Sequence, residues 1–239
     1  MKASAAAVFV LLLAVGCGGA PAPEVNNPPP APSEARPEAP VKRTPGPSVS
    51  QELGEIDPRA VESTFTRLRS SLASCHHAGI NRVEYLSGEV KFFLRIGADG
   101  KAKWGNIEHS TLGDRETEKC MLNTMTSAAW PTPKGGEAEV RKDLVFDLGD
   151  ARAPYNWHAE RAALAIPKIR EAAQKCGKSS GFDITAYVAP EGSSGKTEAA
   201  GISGGGKEGE AAADCIVDAV KSAKWPSPGS YTAKITFKL

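Results

Sequence analysis

The residues best suited to chemistry are Cys75-His76-His77, with His109 and Cys120 downstream. Thiolate and imidazole are ligand types that suit Zn or Cu. His76 and His77 are adjacent, however, so on a helix end they point in different directions. A second cysteine pair, Cys176 and Cys215, has Gly177-Lys178 after its first member and no histidine nearby. Exposed histidines at a helix C-terminus, where the helix dipole favours partial positive charge, are the simpler reading. A Cys-His nucleophile fares worse, because a thiol tied in a disulfide cannot attack. A metal or thiol centre at Cys75 and His76 is therefore only a remote alternative, and no catalytic, cofactor or metal residue is assigned.

Two glycine stretches imitate a phosphate loop. Gly192-Ser193-Ser194-Gly195-Lys196-Thr197 has Pro190 where the first glycine belongs. Gly201 to Gly206-Lys207 has the spacing and precedes a helix, but Glu208 replaces the Ser/Thr that would hold Mg²⁺. Trp130-Pro131 and Trp225-Pro226 could be exposed carbohydrate-stacking platforms. The competing reading has each indole sealing the core edge where helix turns into strand, with proline stopping the helix. Trp157 lies on the connector Tyr155-Asn156-Trp157-His158 and is expected to pack between the two halves of the chain.

The elements that must position these residues recur. Residues 100–133 shifted by 95 lie on 195–228 without a gap, and nine of the 34 positions are identical. Gly100-Lys101 meets Gly195-Lys196, Cys120 meets Cys215, and Trp130-Pro131 meets Trp225-Pro226. Internal repeats constrain the fold before any other feature. In copy one, Val61, Phe65, Leu68, Leu72 and Cys75 fall on one helical face. Val90 to Ile96 alternate as a strand, and Asp99-Gly100 turns into a second strand through Ile107. Asp114 caps a helix carrying Cys120, Met121 and Met125, and a last strand spans 139–148. Copy two has a helix over 167–176, strands over 182–189 and 196–203, a helix to Ala223 and a strand over 231–239. Its hairpin is expected to be weaker, with eight glycines from Gly181 to Gly209. The order α-β-β-α-β, twice, predicts an α+β fold, each copy a three-stranded antiparallel sheet with two helices.

The 239 residues carry 29 Lys+Arg and 28 Asp+Glu, a net charge of +1 that argues against nucleic-acid binding. Lys2 and the apolar run Ala5–Val15 form an export signal, too short to remain as a spanning helix. Leu13-Ala14-Val15-Gly16-Cys17 resembles a bacterial lipobox, with Ala14 where leucine is commonest. The resemblance implies cleavage after residue 16 and acylation of Cys17. Gly18 after the cysteine, in place of Asp, implies sorting to the outer membrane, facing the periplasm or exposed at the surface. Ten of the 18 prolines fall between Pro21 and Pro47. The stretch to residue 58 lacks large apolar residues and is expected to be a disordered tether reaching on the order of 100 Å. With Cys17 acylated, four cysteines remain, and even parity in an exported chain argues for Cys75–Cys120 and Cys176–Cys215 disulfides. Each closed loop would contribute about 4 kcal/mol in the chain-entropy model.

The order of elements, the cysteine pair, the Gly-Lys hairpin, Ser110-Thr111-Leu112 and Trp-Pro-x-Pro resemble the AgmX/PglI C-terminal domain. That domain is itself similar to the C-terminal domain of TonB-type energy transducers. The resemblance covers 59–149 well and 161–239 more weakly, with 150–160 as connector. Copy one lacks the Tyr-Pro often seen in the last strand, and no TonB-like transmembrane helix precedes the tether. The implied function is a non-enzymatic, lipid-anchored envelope protein with two tandem TonB-C-like domains. Each would bind another envelope protein by strand addition at an open sheet edge. The alternative is a peptidoglycan or polysaccharide binder using the Trp-Pro edges.

Overall fold

The computed structural model describes residues 53–239; the signal segment, Cys17 and most of the proline-rich stretch lie outside them. Helix α1 (Pro58–Ile80) starts where Asp57 accepts from the Arg59 N–H at 2.9 Å and proline fills the first turn. It buries Phe65, Leu72 and Cys75. Strands β1 (Gly88–Ile96) and β2 (Ala102–Ser110) form a hairpin, and Gly100 takes the left-handed conformation (φ 75°) its turn requires. Helix α2 (Arg115–Thr126) is capped by Asp114, and β3 (Ala138–Phe146) returns antiparallel to β1. The sheet order is β2-β1-β3.

The second half contains β4 (Tyr155–Trp157), α3 (Ala165–Ala173), β5 (Phe182–Glu191), β6 (Ser194–Gly204) and α4 (Gly206–Lys221), then β7 (Trp225–Pro226) and β8 (Ala233–Lys238). The molecule is α+β, with helices packed on two sheets. The second sheet has five strands, order β4-β8-β5-β6-β7, in place of the three expected. One extra strand comes from the connector, where Tyr155–Trp157 pairs parallel to β8. The other is Trp225-Pro226 itself, which pairs with Ser194 and Gly195. Trp157 enters the core beneath this sheet, with Ile166 and Ile235, and does not pack between the halves as the sequence suggested.

The glycine-rich hairpin is also not weak. β5 and β6 pair without interruption except one bulge, from Phe182↔Gly204 to Glu191↔Ser194. Its glycines answer contacts. A Cβ at Gly195 would lie 2.6 Å from the Pro226 carbonyl oxygen, and one at Gly201 would collide with the Glu118 carboxylate. Side chains on β5, β6 and β8 alternate between two buried faces. Ile184, Ala186, Ile202 and Ile235 pack under α3 and α4. Tyr187 and Ala199 face the other way and join the core of the first half, beside Leu86, Val90 and Leu112.

Candidate functional site

β3 is an edge strand of the first sheet: it pairs with β1 from Gly88↔Phe146 to Ile96↔Ala138 and with no other named strand among the described residues. In an antiparallel pair alternate residues turn their N–H and C=O groups outward, so this edge carries unpaired donors and acceptors. Only the lead-in to β3 is covered. There Gly54 N–H donates to the Glu137 carbonyl (2.7 Å), and Glu55 and Lys134 exchange two backbone bonds of 2.8 Å.

Between β3 and α1 runs a groove lined by Phe65, Arg69 and Leu72 from the helix and Lys142, Leu144 and Phe146 from the strand. Its residues come from two periodicities that meet, every second residue of β3 and every third or fourth of α1. Lys142 Nζ sits 4.9 Å above the Phe65 ring and 3.0 Å from Glu62 Oε2. Val145, on the opposite face of β3, is 71% exposed. Further along that face Arg95 bonds Glu137 and Glu139 at 2.8 Å each, and Arg95 with Lys103 holds the Glu137 carboxyl below its ordinary range.

The sequence-predicted residues fall in separate places. Cys75–Cys120 and Cys176–Cys215 are disulfides, each pinning the first helix of a copy to the second, with Cα separations of 5.8 and 5.7 Å. His76 stacks on Phe146 (4.2 Å), its Nε2 is 3.2 Å from the Leu86 carbonyl oxygen, and burial lowers its pKa. His109 pairs instead with Glu89 (3.1 Å). Trp130 and Trp225 are 5% and 2% exposed, so neither presents a ring face to a ligand. Their indole N–H groups donate to the Met125 carbonyl (2.9 Å) and to Thr197 Oγ1 (2.7 Å). Pro131 and Pro226 follow them at the end of each helix-to-strand passage, which is the structural alternative. The Gly192–Thr197 stretch is the two-residue β5–β6 turn and the start of β6. Cys17 is outside the described residues.

Sequence reasoning missed the polar contact between the two halves. Glu118 is fully buried; Ser110 Oγ donates to it at 2.7 Å and the Ile202 N–H at 3.1 Å. Burial pushes its pKa up to about 7 against the lowering pull of these donors and of Arg115. Arg115 reaches across to Glu210 (2.6 Å) and Asp214 (2.7 Å) on α4. Tyr85 donates to Glu198 and accepts from the Thr232 hydroxyl at 2.8 Å, and Lys234 Nζ donates to the Ser87 carbonyl at 2.7 Å. Burial drives the Lys234 pKa down to about 8. One signal was available: Glu118 shares spacing i, i+3, i+4, i+7 with the buried Met121, Leu122 and Met125. No family model, curated protein or solved structure matches the chain.

Proposed function

We propose that the chain is a non-enzymatic, lipid-anchored envelope protein that captures an extended segment of another envelope protein along the edge of β3. The reading takes residues 59–149 and 161–239 as two TonB-C-like domains of the AgmX/PglI kind and Cys17 as the acylated anchor. Its tether would hold the pair off the outer membrane. The single observation that carries it is the open β3 edge running beside the apolar α1 groove. A strand added there gains main-chain bonds to β3, while its alternate side chains drop towards Phe65, Leu72 and Leu144.

The experiment uses the alternation of backbone groups. Of Lys142→Pro and Asp143→Pro, one removes a bond to β1 and the other removes only an outward N–H. The variant that keeps its fold should lose cross-linking to envelope proteins. Retained cross-linking by both folded variants would remove β3 as the binding edge.

A further inference from the structure

β6 ends at Gly204 and α4 begins at Gly206, with Gly204, Gly205 and Gly206 all at positive φ (89°, 72° and 63°). The N-cap is Gly205, so no side chain caps the first-turn N–H groups of this 16-residue helix. The turn opens on a recess whose other wall is Phe93, Trp104, Asn106 and Glu108 of the first sheet. Asn106 is 4% exposed and lines this recess, and among the described residues its side-chain amide has no hydrogen-bond partner. Ser203 Oγ, one residue before the turn, is buried and has no hydrogen-bond partner among the described residues. What is left of the Asn106 amide's exposure faces this opening, so a ligand there can take the place of the water that reaches it.

The remaining wall defines the ligand. Trp104 packs on Phe93 (4.8 Å between centroids), and the Arg141 guanidinium covers Phe93 (4.7 Å), fixing the indole as an apolar shelf. Glu108, held by Arg141 at 3.1 Å, adds an acceptor. An indole shelf with an amide and a carboxylate beside it suits the C–H face and hydroxyls of a sugar ring. The helix N-terminus carries partial positive charge and favours an anion. Lys207 lies in its first turn, and Lys178 Nζ donates to the Gly205 carbonyl at 2.8 Å. Glu208, also in the first turn, is exposed and opposes this only through solvent.

We propose that this recess binds an acidic sugar, with the ring on Trp104, hydroxyls on Asn106 and Glu108, and the carboxylate at the α4 N–H groups. The site lies apart from β3 and does not rest on edge binding.

The test titrates the full chain, in detergent micelles, with glucuronate, glucose and inorganic sulfate, read by isothermal titration calorimetry. Glucuronate should bind about tenfold more tightly than glucose or sulfate, and Trp104→Ala and Asn106→Asp should each weaken it about tenfold. Asn106→Asp keeps the side-chain shape and sets a carboxylate against the anion, so it decides the matter even if Trp104→Ala fails to fold. Sulfate binding as tightly as glucuronate, with no effect of Trp104→Ala, would reduce the recess to a plain anion site and overturn the proposal. Equal binding of glucose and glucuronate, or no binding of glucuronate, would overturn it as well.

Discussion

The two hairpins are built to one plan and differ on one face. At the repeat offset of 95, Trp104, Asn106 and Glu108 of β2 correspond to Ala199, Gly201 and Ser203 of β6. The large set borders a recess, and the small set lies under the other half of the molecule. Small residues on β6 let the Glu118 carboxylate reach the Ile202 N–H, and they leave room for Tyr187 to enter the neighbouring core. Loss of side-chain volume there reflects close contact rather than a slack sheet. The edges differ too. In the second sheet β4 and β7 lie outside β8 and β6, whereas among the described residues β3 of the first sheet carries no added strand. The second sheet is thus extended by short strands at both margins, whereas the first ends on the nine-residue β3.

The largest expected effect tests the buried side of that contrast. Gly201→Val puts atoms where the Glu118 carboxyl sits, and the displaced carboxyl loses its Ile202 donor. Overpacking together with a stranded buried polar group should cost about 4 kcal/mol in urea unfolding. Asn106→Ala, at the aligned position, breaks no hydrogen bond among the described residues and should cost under about 1 kcal/mol. Equal losses would mean that the two faces are equivalent after all.

The same carboxylate gives the contact a pH dependence. Its folded pKa of about 7 lies above the ordinary 4.5. Between those values the folded chain keeps a proton that the unfolded chain has released, so stability falls as pH rises through the window. The difference amounts to about 3 kcal/mol. Thermal melts should show wild type losing stability from pH 4.5 to 7 relative to Glu118→Gln, and parallel curves would place the ionised form in the fold. Lys234 works in the opposite sense. Its folded pKa of about 8 lies below 10.5, so its contribution to stability rises with pH across that range.

A smaller pair of effects asks where the copies remain alike. Gly100 and Gly195 align, and a Cβ on either would lie 2.6 Å from a carbonyl oxygen, of Trp130 and Pro226 respectively. Alanine at each should cost about 2 kcal/mol through the Trp-Pro closure it disturbs. Gly100→Ala should cost about 1 kcal/mol more, because φ there is 75°. Reversal of that order would show that the closures are not homologous in mechanics.

These comparisons also show why part of the molecule was legible in the sequence. Period 2 over Val90–Ile96 and period 3.6 over Phe65–Cys75 are local, and they place β1 and α1 directly. The cysteines pair within copies as parity and repeat suggested. β4 and β7 are three and two residues long, too short to have a period, and form only because a longer strand is beside them. The glycines of β6 suggest weakness in the sequence because composition records absent side chains without recording what fills their place. Nothing along the chain ties Asn106 to Gly206, since the turn that faces it comes from the other copy.

The smallest stability effect bears most directly on which half presents a surface. Val145 on β3 is 71% exposed and Leu164, before α3, is 85% exposed. Lysine at either position stays in water, so each substitution should change stability by no more than about 0.5 kcal/mol. Their effects on binding should nevertheless part. Val145 lies on the open edge strand, where an added strand would bring its own side chains alongside and a new charge would meet them. Leu164 has no such neighbour to gain, because it stands at the start of α3 and lies on no strand edge. Cross-linking to envelope proteins should therefore fall in Val145→Lys and persist in Leu164→Lys. Loss confined to Leu164→Lys would move recognition to the second half, since a stability-neutral change can act on capture only by touching what is captured.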